Sequence, residues 1–185
     1  MKNVVVKDIF NKEEVNLLKS HIKKYTHVLR LDEPQLGRTR YDFKLLPEKI
    51  KEKIQGIAKE IDENLKFDFA YYVEYSSKYG KPSLPVHTDS VHSKLVIDYQ
   101  LESNMDWSIY VDGNRFNLKD NDCLAINVNS QAHWRPQRNF SNGESLKMVF
   151  FHFIDILDPK IKILNKEERD ILAQKWQHLW NIWEN

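Results

Sequence analysis

Cysteine is almost missing from this 185-residue chain: Cys123 stands alone. An intramolecular disulfide is therefore excluded, and a zinc site built on paired thiolates lacks its ligands. No apolar run approaches the roughly 18 residues of a membrane span. Val4-Val5-Val6, followed at once by Lys7-Asp8, is too short for a secretory segment and has no small-residue cleavage site. An excess of one charge is also missing. Lys and Arg total 28 against 27 Asp and Glu, a net of +1, which leaves neither the basic stripe of a nucleic-acid binder nor an acidic tail. No repeat and no low-complexity stretch interrupts the chain. These absences predict one cytoplasmic domain over residues 1–185, long enough for a single sizeable core, with no membrane or nucleic-acid partner. Aromatic residues are plentiful: five Trp, eight Tyr and nine Phe point to a well-filled core or an aromatic-lined pocket.

Val4–Val6 reads as a short strand. Asn11 and Glu14 have capping-box spacing, and Val15, Leu18, Ile22 and Tyr25 follow at helical intervals, which predicts a helix over about 12–25. Arg30 to Leu46, with Pro34 and Gly37 and no sustained period, reads as a long loop, the expected lid. Pro47 opens a second helix over about 48–65, with Ile50, Ile54, Ile57, Ile61 and Leu65 on one face. Beyond Phe67 the pattern turns to β. Runs at Phe69–Tyr75, Lys94–Leu101, Trp107–Val111, Arg115–Leu118, Cys123–Val128 and Leu146–Ile156 are separated by turn residues, Asp112-Gly113-Asn114 among them. Asn165 and Glu168 repeat the capping box ahead of Leu172, Trp176, Leu179, Trp180 and Trp183, a C-terminal helix whose Trp-rich face offers a homodimer seam. The expected class is α+β, mainly β. A jelly-roll core over 67–157 carries a helical cover over 1–66 and the C-terminal helix over 158–185 outside it.

One constellation carries chemistry. His87-Thr88-Asp89 follows a Pro-rich turn, and His133 comes 44 residues after Asp89. Residues i and i+2 of an extended chain point to the same side, so His87 and Asp89 can reach one metal ion. A third ligand must come from a neighbouring strand, and a jelly roll returns the chain beside its start over such a gap. Two imidazoles and one carboxylate occupy one face of an octahedral ferrous ion and leave the other face open. Lys147, at the head of an aromatic strand, is a cation in want of an anion.

These residues resemble the Fe(II)/2-oxoglutarate-dependent dioxygenases, in particular the prolyl-hydroxylase-like branch. Val4 to Phe10 leading into the Asn11 helix resembles that branch's opening. Tyr75 to Asp89 resembles its tyrosine, glycine-turn and His-x-Asp segment, Asp122 to Asn127 the strand before the distal His, and Leu146-Lys147 the strand of the basic anchor. The resemblance implies a double-stranded β-helix and a hydroxylase using Fe(II), 2-oxoglutarate and dioxygen, with ascorbate as a stimulant. It assigns His87, Asp89 and His133 to the metal, and Lys147, Tyr75 and Gln100 to 2-oxoglutarate. Lys147 lies further past His133 than the family's anchor does, and Arg135 and Arg138 are the alternatives. The presence of Asp89 points to hydroxylation, desaturation or ring formation, since related halogenases lack this carboxylate. The substrate expected is a small molecule, an amino acid or a peptide side chain, with Arg40, Arg135 and Asn127 as candidate contacts. His92 is a competing ligand, His152 reads as a hydrogen-bonded core residue, and His21, His27 and His178 as solvated. Two other classes fit the same residues: a cupin-like metal enzyme that does not use 2-oxoglutarate, and a non-catalytic jelly-roll binding module.

Overall fold

The computed structural model describes residues 3–25, 30–43, 45–89 and 93–157. Strand β1 (Val4–Val6), helix α1 (Lys12–Tyr25), strands β2 (Arg30–Glu33) and β3 (Arg38–Phe43), helix α2 (Glu48–Ile61) and strand β4 (Leu65–Ser76) come first. Then follow β5 (Leu84–His87), β6 (Leu95–Ser103), β7 (Ile109–Val111), β8 (Asn114–Phe116), β9 (Cys123–Ile126), β10 (His133–Arg135) and β11 (Ser145–Asp155). The described residues are thus mainly β, with two helices.

Helix α1 starts on the capping box read from the sequence. The Glu14 amide donates to Asn11 Oδ1 at 3.0 Å and the Asn11 amide to Glu14 Oε2 at 2.9 Å, so two of the helix's unpaired donors are satisfied reciprocally. Helix α2 is shorter than its apolar period. Asp62 is already extended, and Leu65 belongs to β4, where it pairs with Asp155 of β11.

Every strand pair is antiparallel. Seven strands form one sheet in the order β1-β9-β6-β11-β4-β3-β2, and four form a second in the order β5-β10-β7-β8. Side chains of a strand alternate between faces. On one face of the large sheet Ile97, Tyr99, Phe151 and Phe153 meet Leu18, Ile50 and Ile54 of the two helices. On the other, Val73, Tyr75, Met148 and Phe150 meet Ile109 and Val111 of the small sheet. A fully buried aliphatic side chain of this kind contributes about 1.5–3 kcal/mol. The site described below lies between the two sheets.

The loop expected over Arg30–Leu46 is instead the hairpin β2–β3, which extends the large sheet by pairing β3 with β4. Pro34 and Gly37 lie only at its turn, and the ladder that orders its arms comes from a strand far along the chain, which no local pattern announces. Gly37 holds φ +67°, and a Cβ there would meet the Pro82 Cα at 2.5 Å. Gly37→Ala is therefore expected to cost about 2–4 kcal/mol, strain and crowding together. A denaturant titration in which the variant matches the wild type would refute this. The expected C-terminal helix over 158–185, with its Trp-rich dimer seam and His178, lies outside the described residues, as do His27 and His92. No described helix is long and apolar enough to cross a membrane.

Candidate metal centre

His87 closes β5 and His133 opens β10, and the two Cα positions face each other in the antiparallel register of these strands. The pairing converts a long sequence gap into adjacency, with the ring centroids 4.2 Å apart. The Asp89 amide donates to the Val128 carbonyl at 2.9 Å, which ties the residue after β5 to the turn before β10. Asp89 Oδ1 then lies 3.3 Å from His87 Nε2 and 3.8 Å from His133 Nε2. One ligand atom from each residue falls within 4.8 Å of the others. Adjacent ligands of an octahedral ion with bonds near 2.1 Å stand about 3 Å apart, so the three atoms sit close to where one ion would hold them.

The imidazoles are oriented from behind. His87 Nδ1 is 2.7 Å from the Pro85 carbonyl and His133 Nδ1 is 3.2 Å from that of Gln131. A carbonyl accepts only from Nδ1–H, so the neutral ring presents its lone pair at Nε2, toward the shared point. Burial, reinforced by the neighbouring His87, lowers His133 to about 4 and keeps it neutral. For His87 burial opposes the charge, but the ion pair with Asp89 outweighs it and the value rises. Burial would raise Asp89, yet His87 and His133 prevail and hold it well below the usual carboxylate range. At neutral pH the cluster is therefore two neutral or easily neutralised imidazoles and one carboxylate, a donor set suited to a divalent transition metal.

The remaining sequence candidates divide. Lys147 is turned away from the cleft. Its neighbours Leu146 and Met148 face the small sheet, so alternation sends Lys147 to the helix-bearing face. There its Nζ pairs with Glu102 Oε1 at 2.7 Å, while Glu102 Oε2 takes Lys19 of α1. Arg138 is held at the surface by the Asp106 carbonyl and by Glu144. Gln100 donates to Asp120 Oδ1 at 3.1 Å and lines a separate cavity of about 550 Å³ with Asn104, Met105, Asp106 and Lys119. Asn127 is a turn residue whose carbonyl accepts from Ser130 and Gln131. Tyr75 and Arg135 do enter the inter-sheet space, where both approach Trp107. Arg40 lies over the Tyr71 ring at 4.0 Å and pairs with Asp42. His21 is not left to solvent: its Nε2 is 2.7 Å from the Leu45 carbonyl.

One group escaped the sequence reading. Asp98 of β6 is 4% exposed, within electrostatic reach of Arg135, Asp89, His87 and Arg38. Burial raises its carboxyl to about 7. Arg38, within the stretch expected to be a loop and lid, is instead a buried strand residue that donates to Glu33 Oε2 and, at 2.9 Å, to the Tyr75 hydroxyl. His152 is the hydrogen-bonded core residue the sequence suggested, bonded to Ser93 Oγ at 2.9 Å and stacked on Phe69. Its Nε2 is buried without a partner, and its ring lies within electrostatic reach of Asp89 and Arg40. A single carboxylate inside the largely apolar run over 95–101 was the available signal for Asp98.

No family model and no curated protein matches this sequence. Solved structures do match its fold. An oxidoreductase of the 2OG-Fe(II) oxygenase family from Burkholderia pseudomallei aligns over 82% of this chain and 83% of its own, with a TM-score of 0.58 at 10% identity. HygX from Streptomyces hygroscopicus, solved with nickel, 2-oxoglutarate and hygromycin B, aligns over 83% of both chains with a TM-score of 0.62 at 11% identity. A prolyl-4-hydroxylase from Pseudomonas putida aligns over 83% of this chain and 92% of its own, with a TM-score of 0.61 at 10% identity. The chain has the fold of the 2OG-Fe(II) oxygenases, as the resemblance in its motifs implied.

Proposed function

We propose that this protein is an Fe(II)- and 2-oxoglutarate-dependent oxygenase on a double-stranded β-helix, in which His87, Asp89 and His133 hold the iron. The observation that carries the reading is the convergence of these three side chains within 4.8 Å, between two sheets arranged as in known oxygenases. Iron, 2-oxoglutarate and dioxygen together supply oxidative decarboxylation of the 2-oxo acid coupled to oxidation of a C–H bond. The chain's part is positional. The Pro85 and Gln131 carbonyls fix the tautomers of the two imidazoles, and Asp89 would supply the one anionic ligand of the set. With Asp89 in place, hydroxylation, desaturation or ring formation is favoured over chlorination.

On the substrate side, Phe69, Tyr71 and His152 form an aromatic wall with the Arg40 guanidinium laid on it. The substrate belongs to the small molecules, amino acids and peptides, and the wall with its cation is where it rests. The test is a substrate screen with Fe(II) and ascorbate that follows conversion of 2-oxoglutarate to succinate. Stimulated succinate release by one compound class is the expected result. Metal-dependent turnover without succinate would instead identify a cupin-like enzyme. Failure of anaerobically purified protein to take up ferrous ion would leave only a binding module.

A further inference from the structure

The iron and the 2-oxo acid leave one requirement unmet by Lys147: a cation for the far carboxylate of 2-oxoglutarate. Arg135 is 1% exposed and lies between the sheets. Its guanidinium donates to the Trp107 carbonyl, reaches Met148 Sδ at 3.9 Å and lies 5.3 Å from the centre of the Trp107 ring. No ion pair with a described carboxylate neutralises it; Asp98 acts on it only from a distance. A buried charge without a close counter-ion is costly and is retained where an anion completes it.

Its place suits a diacid chelated at the metal. Arg135 follows His133 by two residues on β10, so both project to the same side, about 6–7 Å apart along the strand. That is the span of a five-carbon chain. Met148 is the residue of β11 that faces the cleft where the resemblance puts a basic anchor, and it is neutral; the Arg135 guanidinium reaches over to it from β10. Tyr75 lines the same space. Its hydroxyl already accepts from Arg38 at 2.9 Å, which leaves its own proton to donate onward.

We propose that Arg135, assisted by the Tyr75 hydroxyl, receives the far carboxylate of 2-oxoglutarate, so that the anchor has moved from β11 to the strand of the distal histidine. The inference rests on the oxygenase reading. Its test is a binding measurement that needs no turnover. Calorimetry on manganese-loaded protein compares 2-oxoglutarate with 2-oxopentanoate, which keeps the chelating end and lacks the far carboxylate. The wild type is expected to prefer the diacid by at least about 30-fold. Arg135→Met is expected to bind both acids within about threefold of each other, Arg135→Lys to fall between, and Lys147→Met to keep the full preference. Retained preference in Arg135→Met, or its loss in Lys147→Met, overturns the proposal. If the wild type binds neither acid, it is the oxygenase reading that fails. Removing an uncompensated buried charge should leave Arg135→Met at least as heat-stable as the wild type, and a melting curve of the metal-free protein verifies that the variant is folded.

Discussion

Asp89→Ala is expected to weaken ferrous binding by more than about 100-fold and to bring substrate-stimulated succinate formation to background. Loss of groups that merely orient metal ligands already costs about 10- to 100-fold, and Asp89 is the only anionic donor in the cluster. Without it two imidazoles remain, and the strong interactions that hold the carboxylate ionised beside them have no counterpart. Anaerobic titration with ferrous ion reads the affinity directly. The variant should keep its fold, because the backbone bond from residue 89 to Val128 does not involve the side chain. Wild-type iron affinity in a folded Asp89→Ala protein would remove the metal assignment.

Asp98→Asn is expected to stabilise the metal-free protein in a pH-dependent manner. Burial raises the folded carboxyl from an ordinary 3.8 to about 7. Between those values the folded state holds the proton more firmly than the unfolded chain, so stability falls as the pH rises through the window and the penalty is complete above about 7. The gap corresponds to at most about 4 kcal/mol. Asparagine carries no such penalty, so its advantage should be small near pH 4, grow through the window and level off above it. Thermal melts of both proteins across this range give the comparison. An advantage that stays flat with pH would show that the Asp98 carboxyl does not titrate in this way.

Much of the site was legible because it obeys local rules. His-x-Asp places two ligands on one side of an extended segment by alternation alone, and the distal His133 is found by asking which later residue could complete the set. The reading of Lys147 failed on the same rule. Its strand was recognised, but which of two successive residues faces the cleft depends on the parity fixed by the ladders to β4 and β6. A shift of one position exchanges a cation in the cleft for Met148. Asp98 was missed, and Arg38 was assigned to a loop, for a related reason. Each is a charged residue within a strand, and only the packing of the second sheet shows that its side chain is enclosed.

By itself the sequence determined the two described helices, most of the strands and the identity of the three candidate ligands, because capping, periodicity and alternation act over a few residues. The tertiary structure alone decided that Arg30–Glu33 and Arg38–Phe43 join the large sheet, that His87 and His133 face each other, and that Arg135 rather than Lys147 enters the inter-sheet space. These depend on the register between strands distant in the chain, and register is set by which faces the whole core buries.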